Sequence, residues 1–140
     1  MSDGSGLRSW GLMLLRLVVG MIFLMHGGQK LSMGFHNVAG FLGSLGIPLP
    51  TLAAIGLTLV EFIGGIALIL GLLTRYAAAL LCVDMLVALI VYHAKNGFFV
   101  PSGVEFPLLL LVANINLVLA GAGALGIDTL RKKKIPPPQA

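Results

Sequence analysis

Four runs of apolar residues, each long enough to cross a bilayer and each broken by only a few polar side chains, constrain this chain more than anything else in it. The first spans about 10–31 and is interrupted by the ionisable Arg16, His26 and Lys30; the second, about 51–73, carries Glu61. The third, about 76–94, carries Asp84 and His93, and the fourth, about 106–125, carries Asn114 and Asn116. Each approaches the ~20 residues that cover ~30 Å of hydrocarbon at ~1.5 Å per residue. A membrane β-barrel would need ten-residue stretches of alternating polarity, and the sequence contains none. The fold class expected is all-α: an integral membrane four-helix bundle.

Composition excludes the soluble alternative. The chain is 58% hydrophobic and only 10% charged, against ~25% charged in ordinary soluble domains. A globule of 140 residues cannot hide so large an apolar surplus, because much of its surface must face the solvent; the solvent for this chain is lipid. Arg16 interrupts the first run and no small-residue cleavage site closes it, so that run reads as a retained helix and not a signal peptide. With Cys82 as the one cysteine, neither an intrachain disulfide nor dithiol chemistry is available.

The connections refine the topology. Leu73-Thr74-Arg75-Tyr76 leaves almost no loop, which predicts a tight antiparallel hairpin of the second and third spans. Between the first and second, Phe35, Val38, Phe41 or Leu42, and Leu45 recur near the helical period, predicting a short interfacial helix stopped by Gly46 and Pro48. Pro107 suits a first-turn position of the fourth span. Residues 1–9 read as a frayed polar terminus, and 126–140 as a basic, proline-rich tail ending in an extended IPPPQA. Lys and Arg collect on one side (Arg8, Arg75 and the run 131–134), while Lys30 and Lys95 lie on the other with Glu105. The positive-inside rule then places both termini in the cytoplasm. The same run reads as a membrane anchor, with no nucleic acid implied.

Ionisable side chains inside a span cost about 2.5–3.5 kcal/mol each on insertion scales, so Arg16, Glu61 and Asp84 need partners. Counted from the basic end, they lie ~9, ~18 and ~12 Å deep, which predicts that the guanidinium bridges both carboxylates. One cation and two acids do not balance, so one carboxyl is expected to hold a proton. Two readings of this cluster stay open: a structural network that sets helix register, and a proton or substrate site with Arg16, Glu61 and Asp84 as catalytic groups. Nearer the other face, His26, Lys30, His93 and Glu105 form a second group that could contact substrate, or simply reach water. His26 and His93 lie level on different helices, as two haem ligands would, and with Glu105 they are of metal-ligating type; nothing else in the sequence argues for either, and neither is expected. Small residues such as Gly20, Gly56, Gly64 and Gly65, and the spacings Ala67-xxx-Gly71 and Ala120-xxx-Ala124, allow close helix approach and a homodimer. Asn114 and Asn116 could link helices by hydrogen bonds.

The stretches LLRLVVGMIFLMHGGQKL (14–31), FLGSLGIPLP (41–50), VEFIGGIALILGLLTRYAAALL (60–81) and GFFVPSGVEFPLLLLVANINLVLAGAG (97–123) resemble the DoxX family of small four-helix bacterial membrane proteins. The most specific features are Arg16 followed by His26-Gly27-x-x-Lys30-Leu31, and Glu61-x-x-Gly64-Gly65 followed by Gly71-Leu72-x-Thr74-Arg75. The resemblance implies a membrane subunit of a redox system, with a protein partner in a quinone-linked complex; quinone is the cofactor class it implies. A thiol relay of the kind proposed for related redox proteins has only Cys82 to draw on, and no flavin or nicotinamide fingerprint is present. Two other readings remain: a non-enzymatic anchor or assembly protein whose buried charges are structural, and a small transporter, for which no inverted repeat is detectable.

Overall fold

A computed structural model describes residues 3–134, which form helices joined by turns and short irregular stretches, with no strand among them. The elements are α1 (Asp3–Met33), α2 (Phe35–Ser44), α3 (Pro50–Leu70), α4 (Thr74–Val91), a 3₁₀ turn (His93–Asn96), α5 (Glu105–Ala120) and α6 (Ile127–Lys134). The terminal IPPPQA segment lies outside the described residues. By length and composition α1, α3 and α4 can each cross a membrane, and α5 is a shorter apolar helix of 16 residues. Large apolar side chains line the outside, as Leu14, Val18, Met21 and Met25 do on one stripe of α1. That stripe makes sense only against lipid.

Local chemistry sets the helix ends. At the end of α3, Gly71 takes the left-handed conformation (φ 65°), its N–H returns to Leu68 O (3.1 Å) and Leu72 N–H to Ala67 O (2.9 Å). This Schellman closure satisfies the last carbonyls, and two residues later α4 begins, giving the tight hairpin that the sequence predicts. Gly46 (φ 80°) closes α2 in the same way: its N–H returns to Gly43 O (3.0 Å) and Ile47 N–H to Leu42 O (3.1 Å). The short helix expected between the first two spans is therefore present, and it buries Val38 and Ala39 against Ala54 of α3.

α1 and α3 run antiparallel at backbone contact. A Cβ on Gly27 would lie 2.5 Å from Phe62 N, one on Gly65 2.5 Å from Leu24 N, and one on Gly20 2.9 Å from Gly65 O. Those glycines let the two backbones touch and lock their register. Around this pair, Val19, Phe23, Leu68, Leu81, Met85 and Leu117 form the core that joins α1, α3, α4 and α5. Of the small residues that the sequence marks for close approach, Gly20 and Gly65 make it, whereas Gly56 has open space around it; Gly27, not marked there, approaches as closely as Gly65.

Three boundaries differ from expectation. Residues 3–9 are helical, because Ser9 O accepts Ala124 N–H (2.9 Å) and Gly123 packs against Ser9 and Leu12. The fourth apolar run ends its helix at Ala120, where Gly121 (φ 83°) breaks it. The irregular stretch that follows buries Gly121, Ala122 and Gly126 in protein, which is where non-helical backbone at membrane depth is tolerated. Residues 127–134 then fold back as α6, across the end of the bundle that holds both termini. Asp128 N–H donates to Gly71 O (2.9 Å), and the Asp128 carboxylate accepts Leu73 N–H (2.9 Å) and Thr74 N–H (2.8 Å).

Candidate functional site

The ionisable residues inside the bundle divide into two groups far apart. Antiparallel packing pairs rising positions on α1 with falling positions on α3. The register set at Gly27–Phe62 and Leu24–Gly65 therefore carries Lys30 to Glu61 and Arg16 to Gly71. Lys30 and Arg16 are separated along α1 by about 21 Å at ~1.5 Å per residue. Lys30 Nζ donates to Glu61 Oε2 at 2.5 Å, with Glu61 only 4% exposed. The Asp84 carboxyl on α4 lies within hydrogen-bonding reach of Glu61 and feels the charge of Lys30. A hydrogen bond between two carboxyl groups requires that one of them carry the proton. Asp84 Oδ2 is buried without a hydrogen-bond partner among the described residues.

Arg16 does not join this cluster, contrary to the expectation that it would bridge Glu61 and Asp84. It is 2% exposed, its Nη1 lies against Gly71 and Gly126, and the acidic group acting on it is Asp128. Its Nε and Nη1 have no hydrogen-bond partner among the described residues. The register of α1 against α3 sets Arg16 level with Gly71, about 15 Å along α3 from Glu61 at ~1.5 Å per residue. Lys30, placed in the outer group by its position near the end of α1, is the cation that meets the acids. Its long stem lets the ammonium reach inward.

Lys30, Glu61 and Asp84 stand on the wall of a cavity of about 750 Å³ enclosed by α1, α2, α3, α4 and the start of α5. Phe23, Leu57, Met85 and Leu110 supply apolar lining. His26, Tyr92 and His93 lie on the same cavity, so two of the four outer residues join Lys30 there. His93 Nδ1 donates to Ser102 O (2.7 Å) and Gly103 O (3.0 Å), and His26 Nδ1 donates to Ile22 O (2.9 Å). Tyr92 stacks edge-on with Phe41 (5.5 Å) and His93 (4.9 Å), tying α2 to the end of α4. Glu105 is absent from this lining: its Oε1 accepts Val100 N–H at 2.6 Å and shapes the loop before α5. Among the described residues no three of His, Cys, Asp and Glu gather at metal-binding geometry. Asn114 Nδ2 donates to Leu110 O of its own helix, and Asn116 is exposed, so neither links two helices within the chain.

The DoxX family model matches residues 11–94. This chain belongs to the DoxX family. Among relatives, it is 36% identical over 118 residues to "Putative oxidoreductase CatD" of Bacillus subtilis, covering 84% of each chain. It is 33% identical over 123 residues to inner membrane protein YphA of Escherichia coli, covering 84% of this chain and 87% of that one. A membrane protein of Mycobacterium tuberculosis, Rv3486, is 31% identical over 131 residues, covering 86% and 80%. No solved structure matches. The DoxX match takes in Arg16, His26, Lys30, Glu61, Asp84 and His93, whereas Glu105, α5 and α6 lie beyond it. As a DoxX protein the chain is a membrane protein, in agreement with its apolar exterior.

Proposed function

We propose that this DoxX protein is a membrane subunit of a redox system and binds a quinone, or a small sulfur-type substrate, in the cavity between its helices. One observation carries the reading: the buried Lys30–Glu61 pair with Asp84 beside it, facing an otherwise apolar cavity. A quinone is an apolar ring with carbonyl oxygens at its edge, and it carries electrons and protons together. The unpartnered Asp84 Oδ2 and the Lys30 ammonium are the polar groups such an edge needs, and the apolar lining suits the ring. Lys30 supplies a donor for a carbonyl oxygen, and the Glu61 and Asp84 carboxyls supply groups able to exchange protons with the ligand. His26 and His93 line the same cavity. The relative named as an oxidoreductase supports the same class. Cys82, the single cysteine, supplies no dithiol, so electrons come from a partner protein in the membrane.

Arg8, Arg75 and Arg131 at one end, against Lys95 at the other, support a cytoplasmic location for both termini in an inner membrane. A homodimer is compatible with the exposed apolar faces. The rival reading, an anchor or assembly protein, has Arg16 in its favour: that buried cation touches only the turns at one end of the bundle and behaves as a structural element.

Glu61→Gln decides between them, because it keeps shape and one acceptor while removing the charge. The assay is equilibrium binding of a short-chain quinone to the purified full-length protein, alongside thermal unfolding. Folded protein with quinone affinity weakened about tenfold or more, in line with loss of a charge-assisted contact, supports the redox reading. Wild-type protein that takes up no quinone refutes it, and a Glu61→Gln variant that no longer folds assigns the pair to structure.

A further inference from the structure

A second cavity, of about 660 Å³, opens at the end of the bundle that carries both termini. Arg8 of α1, Arg75 of α4 and Arg131 of α6 reach it from elements far apart in sequence. Convergence of three guanidinium groups is unfavourable unless an anion answers it. Among the described residues the one carboxylate in the lining is Asp128, which already accepts Leu73 N–H and Thr74 N–H and acts on the buried Arg16. Arg75 Nη2 donates to Leu119 O at 3.1 Å, which fixes it over the C-terminal end of α5. Arg8 and Arg131 are exposed and have neither an ion pair nor a hydrogen bond among the described residues. The site therefore holds more positive charge than its own acid neutralises, and two of its forks are unused.

The surroundings point to the ligand class. Leu12, Leu73 and Tyr76 form apolar walls beside the arginines, and Tyr76 is largely exposed in the first turn of a spanning helix. Aromatic side chains at this level mark the headgroup region, and a guanidinium pairs with a phosphate through two parallel hydrogen bonds. We propose that this cavity binds the phosphate headgroup of an anionic membrane lipid, with Arg8, Arg75 and Arg131 as its cationic contacts and the apolar wall receiving the start of the acyl chains. The site stands apart from the Lys30–Glu61 cavity, and its occupancy does not depend on the redox reading. A bound lipid there would clamp α1, α4 and α6 together, at the end of the bundle where α5 falls short of a full span.

The test is native mass spectrometry of the full chain in detergent, titrated with phosphatidylglycerol or with phosphatidylcholine, and with glycerol 3-phosphate as a soluble competitor. Wild-type protein is expected to retain phosphatidylglycerol in clear preference to phosphatidylcholine. The double variant Arg8→Gln/Arg131→Gln is expected to lose about fivefold in affinity per arginine, about thirtyfold together. Equal retention of the two lipids by wild-type protein overturns the proposal, and so does a folded double variant that binds as wild type does. Displacement by glycerol 3-phosphate at matched concentration assigns the site to a soluble phosphate and overturns the lipid assignment. If the double variant does not fold, the wild-type protein still decides: phosphatidylglycerol binding must weaken between about 50 and about 500 mM salt as exposed charges are screened, and salt-independent binding overturns the proposal.

Discussion

Replacing Asp128 with alanine should loosen the whole end of the bundle, although residue and helix start lie more than fifty positions apart in the chain. The first turn of α4 has no side-chain cap of its own, because Leu73 stands at the cap position. The Asp128 carboxylate takes that place, accepting Leu73 N–H at 2.9 Å and Thr74 N–H at 2.8 Å. Loss of an ordinary cap costs about 0.5–2 kcal/mol. Thr74 is fully buried and Arg16 is 2% exposed, so removing the carboxylate also strands an N–H group and a cation away from water, for about 1–3 kcal/mol more. The expected total is about 2–4 kcal/mol for Asp128→Ala, and about half that for Asp128→Asn, which keeps one acceptor. At roughly 3–5 °C per kcal/mol for a chain of this size, alanine should lower the unfolding midpoint by about 6–20 °C. Cys82, partly buried between α4 and α5, gives a built-in readout: a thiol-reactive dye labels it as the bundle opens. An alanine variant within about 2 °C of wild type would mean that Asp128 is not the cap and that α6 does not hold α4.

Further outcomes follow from the close approach of α1 and α3. Gly65→Ala and Gly27→Ala each put a Cβ 2.5 Å from backbone of the facing helix and should cost about 1–3 kcal/mol or more, read as a lowered unfolding midpoint. Gly56→Ala meets nothing within 4 Å and should be neutral or stabilise by up to about 1 kcal/mol in the same measurement. Lys30→Met leaves buried Glu61 without its cation and should weaken quinone binding as Glu61→Gln does, whereas Glu105→Ala, which lies off the cavity, should leave that binding unchanged.

Much of the architecture was legible because its causes are local. The apolar runs, the short helix stopped at Gly46 and the hairpin at Gly71–Arg75 are written into period, length and turn residues, and the structure has all three. The candidate site was legible only in its ingredients. Glu61 and Asp84 were singled out as buried acids that need a cation, but Lys30 and not Arg16 answers them. His26 and His93 share the cavity, whereas Glu105 turns back to its own loop. Asp128 gave no signal at all, since a helix cap supplied from 54 residues away has no spacing to recognise.

By itself, then, the chain's order of residues determined its solvent, its helical class and where most helices stop, because hydrophobic length and backbone preference act over one or two turns. Which charge meets which was decided only in three dimensions. Three glycines allow α1 and α3 to touch, and that contact sets a register in which a shift of one helical turn, about 5.4 Å, exchanges every partner across the interface. No local pattern records that register; it exists only once the two backbones are in contact.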